Sequence, residues 1–310
     1  MNKQATRDAY GQTLVELGRR YENLIVMDAD LSKSTKTADF AKAFPERFIN
    51  AGIAEQNMTG MAAGLASCGK VVYISSFAIF ASGRNWEQIR NSLAYAQLNV
   101  KICATHAGIT VGEDGGSHQA IEDIALMRSI PGMTVMVPAD GVSAAKAVDA
   151  VYHYPGPVYL RLGRLAVPTL YDESMEFVPG RGTVLRDGKD VAIIACGLAV
   201  AQALTAAEQL AERGIQAAVV DMYSIKPLDQ NLIIKMARQC GRVVTVEEHN
   251  IIGGLGSAVC ETLSEHCPVP VKRLGIEDRF GQSGTPEELL RAYGLTAETI
   301  AERVESFIEK

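Results

Sequence analysis

Short apolar runs alternate with amphipathic stretches along most of the chain. In the first half we predict five strands from such runs, at Leu24–Asp28, Val71–Ser75, Val100–Thr105, Thr134–Pro138 and Val158–Leu162. Helical patterns such as Trp86–Gln97 and Val142–Val151 separate them. Apolar strands that alternate with helices are typical of a parallel sheet with helices on both faces.

The alternation stops between residues 166 and 189, a segment with Pro and Gly but no apolar period, and then resumes. Beyond it we predict strands at Val191–Cys196, Ala217–Asp221, Val243–Val246 and Val269–Leu274. We predict helices at Ala199–Arg213, Gln230–Gln239, Leu255–His266, Pro286–Ala292 and Ala297–Phe307. The sequence therefore predicts an α/β protein with two doubly wound domains and mainly parallel sheets, 1–165 and 190–310, joined by a linker at 166–189.

Composition narrows the classes of function. The 310 residues include 30 Lys and Arg against 36 Asp and Glu, without a basic cluster, so nucleic-acid and membrane binding are not favoured. The longest apolar run, Val191–Ala201, is too short to span a bilayer, and the N-terminus lacks the apolar segment of a secretory signal. The six cysteines form no C-x-x-C pair and have no His at metal-ligand spacing, which favours buried free thiols. We expect a cytoplasmic protein without a metal site of its own.

Functional residues of a parallel sheet are expected in the turns after its strands. The turn after Val100–Thr105 is a long Gly-rich loop that begins at His106 and ends at His118, with Glu113 and Asp114 between them. Polar surface loops are common, but two of the five histidines lie within these thirteen residues. This clustering favours a site.

Glu55 precedes a helical stretch, Met58–Cys68, that is almost wholly small or apolar. A carboxylate at this place commonly caps the helix or interacts with its dipole. A helix without a polar face, however, should lie inside the protein or under a subunit interface. A Glu there must be paired or protonated, which makes Glu55 a functional candidate.

Two further features are weaker. The turn Gly253–Gly256 is similar to a phosphate-binding turn but lacks its third Gly, so we predict close packing of strand and helix there. The other histidines, His153, His249 and His266, have no clustered partners, and we assign them no function.

Several motifs of the chain occur together in one enzyme family. They are Ala5–Arg7, Asp28–Ser34, Gly52–Glu55, Ser76–Phe80, Ala104–His118, Pro138–Gly141 and Ser283–Leu290. On these motifs the chain resembles the C-terminal half of transketolase over nearly its whole length. The loop from His106 to His118 is the most specific of them.

The resemblance also implies a missing half. In transketolase the N-terminal half carries a Gly-Asp-Gly…Asn signature that holds magnesium and the diphosphate of the cofactor thiamine diphosphate. Gly-Asp-Gly does not occur in this sequence. The chain therefore resembles the pyrimidine-binding subunit of a split transketolase, and Mg²⁺ or Ca²⁺ is expected on a separate N-terminal subunit. The resemblance implies self-association through the pyrimidine-binding domain, 1–165, and a heterotetramer with that partner.

Cofactor contacts follow from the same resemblance. Glu55 is similar to the family's glutamate that bonds the aminopyrimidine ring, and is therefore a catalytic candidate. Phe77 and Phe80 match the aromatic wall that packs on this ring. Asp30 resembles a carboxylate near the cofactor, although a turn or N-cap role is an alternative. A third family aromatic falls on Gly83, which predicts a roomier pocket.

The resemblance assigns substrate contacts to six residues: Arg7, Ser34, His106, Asp114, His118 and Arg164. His118 is expected near the carbonyl end of the ketose, Asp114 at an acceptor hydroxyl and His106 toward the phosphate end, and both histidines are catalytic candidates. The other three fall where the family grips the sugar phosphate, a dianion that suits charge-assisted donors.

The expected reaction is transfer of a two-carbon ketol unit from a ketose phosphate to an aldose phosphate. Two alternatives share the architecture: a subunit similar to 1-deoxy-D-xylulose-5-phosphate synthase, and the E1 β subunit of a 2-oxo acid dehydrogenase. A third, from another class, is a noncatalytic structural or regulatory subunit. The presence of Glu55, His106 and His118 together argues against the last.

Overall fold

The computed structural model describes residues 2–309, so residues 1 and 310, the outer ends of the predicted domains, lie outside the described part of the chain. The strands are β1 (Lys3–Ala5), β2 (Leu24–Asp28), β3 (Phe48–Asn50), β4 (Val71–Phe77), β5 (Val100–Thr105), β6 (Thr134–Met136), β7 (Val158–Arg161), β8 (Ala166–Pro168), β9 (Thr183–Arg186), β10 (Val191–Ala195), β11 (Ala217–Asp221), β12 (Ser224–Lys226), β13 (Val243–Asn250) and β14 (Val271–Ile276). The helices are α1 (Thr6–Arg20), α2 (Ser32–Thr35), α3 (Ala38–Ala43), α4 (Glu55–Ser67), α5 (Trp86–Gln88), α6 (Asp123–Arg128), α7 (Gly141–His153), α8 (Ala199–Glu212), α9 (Gln230–Cys240), α10 (Leu255–His266), α11 (Pro286–Ala292) and α12 (Ala297–Ile308).

The strands form two large sheets. The first has the order β12-β6-β7-β5-β4-β2-β3 and is parallel except for β12. The second has the order β14-β13-β10-β11-β9 and is parallel except for β9. The expected α/β fold with mostly parallel sheets is therefore confirmed.

Each sheet is covered on both faces, because alternate side chains of its strands enter different cores. In β2, Leu24 and Val26 pack in a cluster with α1 and α7, whereas Ile25 and Met27 belong to a second cluster with α4. This second cluster continues into one face of the other sheet, through residues such as Ile194. The two halves of the chain therefore share a core.

The segment 166–189, which the sequence predicts to be a linker, contains two short strands. β8 pairs with β1, and β9 pairs with β11 at the edge of the second sheet. Neither strand shows a long apolar run, because β9 is only half-buried and β8 has three residues. The domain boundaries themselves stay a prediction.

Helix α4 is not enclosed within the chain. Met58, Thr59 and Ala62 face inward, but the opposite side, with Gly60 and Gly64, is exposed. The prediction that this helix is buried inside a single chain is therefore wrong, and the alternative, a subunit interface, stays open.

The cysteines and the helix lengths bear on two further expectations. All six cysteines are free, as expected, but Cys68 is exposed rather than buried. Within residues 2–309, no helix is both long and apolar enough to cross a membrane.

Candidate active site

Most of the predicted site residues lie at the carboxyl edge of the first sheet, where turns from different strands meet. They are placed there by separate elements: Arg7 in α1, Asp30 and Ser34 after β2, Glu55 at the start of α4, Phe77 at the end of β4, Phe80 just beyond it, His106, Asp114 and His118 after β5, and Arg164 after β7.

Glu55 is the buried acid of this edge. Its side chain is 1% exposed; Ser76 Oγ donates to Oε1 at 3.1 Å, and Arg84 Nη1 donates to Oε2 at 2.8 Å. The residue at the N-cap of α4 is Ala54, and no side chain caps the helix there. Glu55 thus points into the site, as a paired carboxyl, and the capping alternative is not what the geometry shows.

Aromatic rings form a wall beside this carboxyl. The rings of Phe77 and Phe80 are nearly parallel, with centroids 6.2 Å apart and planes inclined by 12°. His106 stacks on Phe77 at 3.8 Å, and the His118 ring meets Phe80 edge-on at 5.4 Å. The wall therefore joins the two predicted aromatics to both predicted histidines.

His106 is held as a neutral ring by its two hydrogen bonds. An arginine can only donate, so His106 Nε2 accepts from Arg7 Nη1 at 2.9 Å, and Nδ1 carries the proton, which it shares with Thr105 Oγ1 at 2.9 Å. Burial, followed by the charges of Arg7 and Arg164, lowers the pKa of His106 to about 3. The backbone of His106 is left-handed, with φ 58°, and this turn aims the ring at Arg7.

Arg7 is the centre of the predicted phosphate site. Besides His106, its Nη1 contacts the carbonyl oxygen of Ser34 at 3.0 Å, and its Nε is buried without a partner among the described residues. Burial lowers the pKa of Arg7, and the charge of Arg164 lowers it further, so two like charges face one region. Arg164 donates to the Val111 carbonyl. Such a cluster suits an anion.

The remaining predicted residues are more exposed. Asp114 lies at the tip of the loop, in solvent. His118 is half-buried, with Nδ1 3.0 Å from Ser117 Oγ. Asp30 has a left-handed backbone, φ 65°, and accepts from Asn50 Nδ2 at 2.9 Å. These contacts agree with the alternative turn role of Asp30, and its place near the cofactor stays a prediction.

The donor set fits the aminopyrimidine of thiamine diphosphate. A flat ring that carries both hydrogen-bond donors and acceptors matches a buried carboxyl beside an aromatic wall. The prediction of a roomier pocket at Gly83 has a structural counterpart, since a Cβ built there meets no atom within 4 Å. Among residues 2–309, no group of three or more His, Cys, Asp or Glu side chains is arranged to hold a metal ion.

Some residues of the site were not singled out from the sequence. Ser76 and Arg84 flank motif residues, but their pairing with Glu55 joins positions 21 and 29 residues apart. Asp28, fully buried, accepts from the backbone N–H of Leu31 and from the hydroxyl of Thr35, both at 2.6 Å, and so holds the turn that carries Ser34. A carboxylate directly after an apolar strand was the available signal for Asp28.

The second half of the chain supports the loop from His106 to His118. Glu248 accepts from the Thr110 N–H at 2.6 Å, and the Gln119 amide donates to the carbonyls of Ile109 and Gln282, at 3.0 and 2.9 Å. Gly108, with φ 81°, passes so close to the Glu248 carboxyl that a Cβ would collide with it. The loop is therefore built against both halves of the molecule.

The turn Gly253–Gly256 packs closely, as predicted. The N–H groups of Leu255 and Gly256 donate to the carboxyl of Glu247, at 2.7 and 2.8 Å, so an internal carboxyl fills the position of a bound anion. A Cβ on Gly256 would lie 2.7 Å from Thr245 Oγ1. His249, buried nearby, accepts from the Ala125 N–H at 3.3 Å, which agrees with a structural role.

Comparison with known proteins identifies the same two parts. The family described as "Transketolase, pyrimidine binding domain" matches residues 2–169, and "Transketolase, C-terminal domain" matches residues 180–300. A putative transketolase C-terminal section from Methanocaldococcus jannaschii is 55% identical over 307 residues, covering 98% of this chain and 96% of that protein. One of the two subunits of an apulose-4-phosphate transketolase from Phocaeicola vulgatus is 43% identical, covering 100% and 99%.

A solved structure agrees with these relatives. It is a split-gene transketolase, described as an inactive β4 tetramer; it is 54% identical, covers 99% of both chains and superposes with a TM-score of 0.91. The paired acid, the aromatic wall and both halves of the fold thus have counterparts in one family. The chain belongs to the transketolase family and corresponds to the C-terminal section of a split transketolase.

Proposed function

We propose that this chain is the C-terminal subunit of a two-subunit transketolase, which transfers a two-carbon ketol unit from a ketose phosphate to an aldose phosphate. The observation that carries the proposal is one continuous set of contacts. It runs from the buried Glu55 along the aromatic wall to the Arg7–His106 pair. A cofactor ring and a sugar phosphate are the two groups that its ends suit.

The chain's own residues would bind and orient these groups. Glu55 would bond the aminopyrimidine and exchange a proton with it, while Phe77 and Phe80 pack on its face. When bound, thiamine diphosphate supplies the electron-accepting centre that the breaking and forming of a carbon–carbon bond need. His118, whose ring edge meets Phe80, would lie toward the reacting end of the sugar, and Arg7 toward its phosphate.

The cofactor's diphosphate and its Mg²⁺ or Ca²⁺ would lie on a separate N-terminal subunit. Support comes from the sequence, which contains no Gly-Asp-Gly, and from the names of the relatives, which are a C-terminal section, a transketolase subunit and a split-gene product. The tetramer of the solved relative is described as inactive. On this proposal the chain alone is inactive as well.

The sugar substrates are proposed at the level of their chemistry. The Arg7 guanidinium has one buried N–H without a partner, and Arg164 adds a second positive charge beside it, which favours phosphorylated sugars. The name of the relative from Phocaeicola vulgatus also includes a sugar phosphate. Asp114, exposed at the loop tip, would contact an acceptor hydroxyl.

The exposed side of α4 supports self-association. It presents small residues, Gly60 and Gly64, beside the partly buried Met61, and Ile53, just before the helix, is 78% exposed. We propose that two copies of this chain pack through this side and that two partner subunits complete a heterotetramer.

Reconstitution tests the proposal. The purified chain is mixed with the separately encoded N-terminal subunit, thiamine diphosphate and Mg²⁺, and ketol transfer from a ketose phosphate to an aldose phosphate is assayed. The mixture should be active, and each subunit alone inactive. An assembled complex that decarboxylates pyruvate but ignores ketose phosphates would move the chain to the 2-oxo acid dehydrogenases. An assembled complex without either activity would favour a noncatalytic subunit.

A further inference from the structure

The guanidinium of Arg84 covers the side of Glu55 that faces solvent. Glu55 has two side-chain partners, Ser76 at 3.1 Å and Arg84 at 2.8 Å. Ser76 is fully buried and Glu55 is 1% exposed, whereas the Arg84 side chain is 44% exposed. A group that reaches the Glu55 carboxyl from solvent must therefore pass the position of Arg84.

Arg84 also covers part of the aromatic wall. Its guanidinium carbon lies 4.4 Å from the centroid of the Phe80 ring, within cation–π distance. The neighbouring Gly83 has no side chain, and the space around it is open. Arg84 thus contacts both a carboxyl and an aromatic face that the proposed function assigns to the aminopyrimidine, and open space lies next to it.

We propose that Arg84 is a displaceable partner of Glu55, bound to it in the cofactor-free chain and released when the aminopyrimidine binds. This inference rests on the proposed function. The physical reason is competition, because the ring and the guanidinium need the same carboxyl oxygen and the same face of Phe80. Without Arg84, the buried carboxyl of the free chain would keep only the Ser76 hydroxyl as a partner, which is unfavourable.

The competition has two consequences of opposite sign. Removing the guanidinium by Arg84→Gln takes a stabilising ion pair from the cofactor-free chain, so its melting temperature should fall. The same change removes the competitor, so the complex should bind thiamine diphosphate about 3- to 10-fold more tightly, as expected for an ion pair that is partly exposed. A residue that only supports the fold would weaken both properties.

The experiment uses the complex of this chain with its N-terminal subunit. Thiamine diphosphate is titrated in the presence of Mg²⁺ by calorimetry, and thermal unfolding of the cofactor-free chain is followed separately. Arg213→Gln is the matched control, because it breaks another partly exposed ion pair, Arg213–Glu305 at 2.6 Å, in the second half of the chain. This control should leave cofactor affinity unchanged. Arg84→Lys, which keeps the charge, is the second variant if Arg84→Gln does not fold, and its affinity should also rise.

A double variant locates the effect. If Arg84 competes for Glu55, Arg84→Gln should no longer raise the affinity once Glu55→Gln is present. Weaker or unchanged binding by both Arg84 variants would overturn the inference and leave the proposed function intact. If the wild-type complex does not bind thiamine diphosphate at all, the proposed function falls, and this inference falls with it.

Discussion

A single hydrogen bond limits the part that His106 can take in a reaction. Its Nε2 accepts from Arg7 and its pKa is lowered to about 3, so the ring is neutral at physiological pH. It orients the guanidinium rather than adding a positive charge. The charge for a phosphate would then come from Arg7 and Arg164. His118 is more accessible and is the better placed of the two histidines to exchange protons.

Exchange of one atom tests the assigned role of Glu55. Glu55→Gln keeps the volume and an acceptor for Ser76 or Arg84, so the subunit should fold and assemble. It removes the acid, and kcat of the reconstituted complex should fall by about 10²- to 10⁴-fold, the range for loss of a positioned acid–base group. Steady-state rates at saturating cofactor measure this. A nearly unchanged kcat would mean that Glu55 only stabilises the start of α4.

The phosphate site predicts a difference between substrates. Arg7→Ala should lower kcat/KM for a ketose phosphate by roughly 10- to 150-fold, the equivalent of one charge-assisted hydrogen bond. The loss with hydroxypyruvate, a donor without a phosphate, should be small. Arg19→Ala is the control for charge, since Arg19 is exposed in the last turn of the same helix, α1. Equal losses on both donors would mean that Arg7 only supports His106 and the turn of Ser34.

At the level of elements, the loop after β5 depends on a strand of the second sheet. Glu248, in β13, accepts from the Thr110 N–H, and Arg161, in β7, donates to the Glu248 carbonyl at 2.9 Å. Arg161 also pairs with the buried Asp123 at 2.8 Å. Burial raises the pKa of Glu248 to about 7, although the charge of Arg161 opposes this. The support of the loop therefore includes a carboxyl that titrates near neutral pH.

This carboxyl predicts a pH dependence of stability. The folded-state pKa of Glu248, about 7, exceeds the ordinary value of 4.5, so the folded chain holds the proton more tightly. Its contribution is present below the ordinary pKa and is lost as pH rises through about 7. Glu248→Gln keeps an acceptor for Thr110 without the charge. From pH 5 to pH 8, its free energy of unfolding should therefore gain about 1–3 kcal/mol relative to wild type.

Urea unfolding at both pH values measures this difference. Glu208→Gln, an exposed position on α8, is the control and should differ from wild type equally at pH 5 and pH 8. A Glu248→Gln variant that behaves like this control would show that the loop is supported without a titrating group.

At the level of the whole molecule, the sequence predicts the long elements well and the short ones poorly. Buried strands such as β5 and β11 have continuous apolar runs, and their predicted bounds match the structure. Three-residue strands such as β8 and β12 depend on a partner strand rather than on their own pattern, and they were missed. The same holds for the site, where motifs indicate Glu55 but tertiary contact alone reveals its pairing with Arg84.

Assembly is tested on the exposed side of α4. A Cβ on Gly64 meets no atom within 4 Å in the single chain, so Gly64→Arg should leave its fold and helix intact. Tyr95, 88% exposed, follows a π-helical segment, Ile89–Ala94, that packs on α4, so the apolar surface extends beyond the helix. If two copies pack through this surface, the added guanidinium must either be buried without a partner or keep the copies apart. Light scattering of the chain should then give a lower mass than wild type.

The control for this change is Ser264→Arg, which adds the same charge at an exposed position of α10 and should not alter the mass. Circular dichroism of both variants should match wild type, which separates failed assembly from failed folding. The reconstituted complex offers a second measure, because on the proposed architecture a loss of pairing between two copies should also reduce ketol transfer. A Gly64→Arg chain that keeps the wild-type mass would place the interface elsewhere, and the exposed side of α4 would then need another explanation.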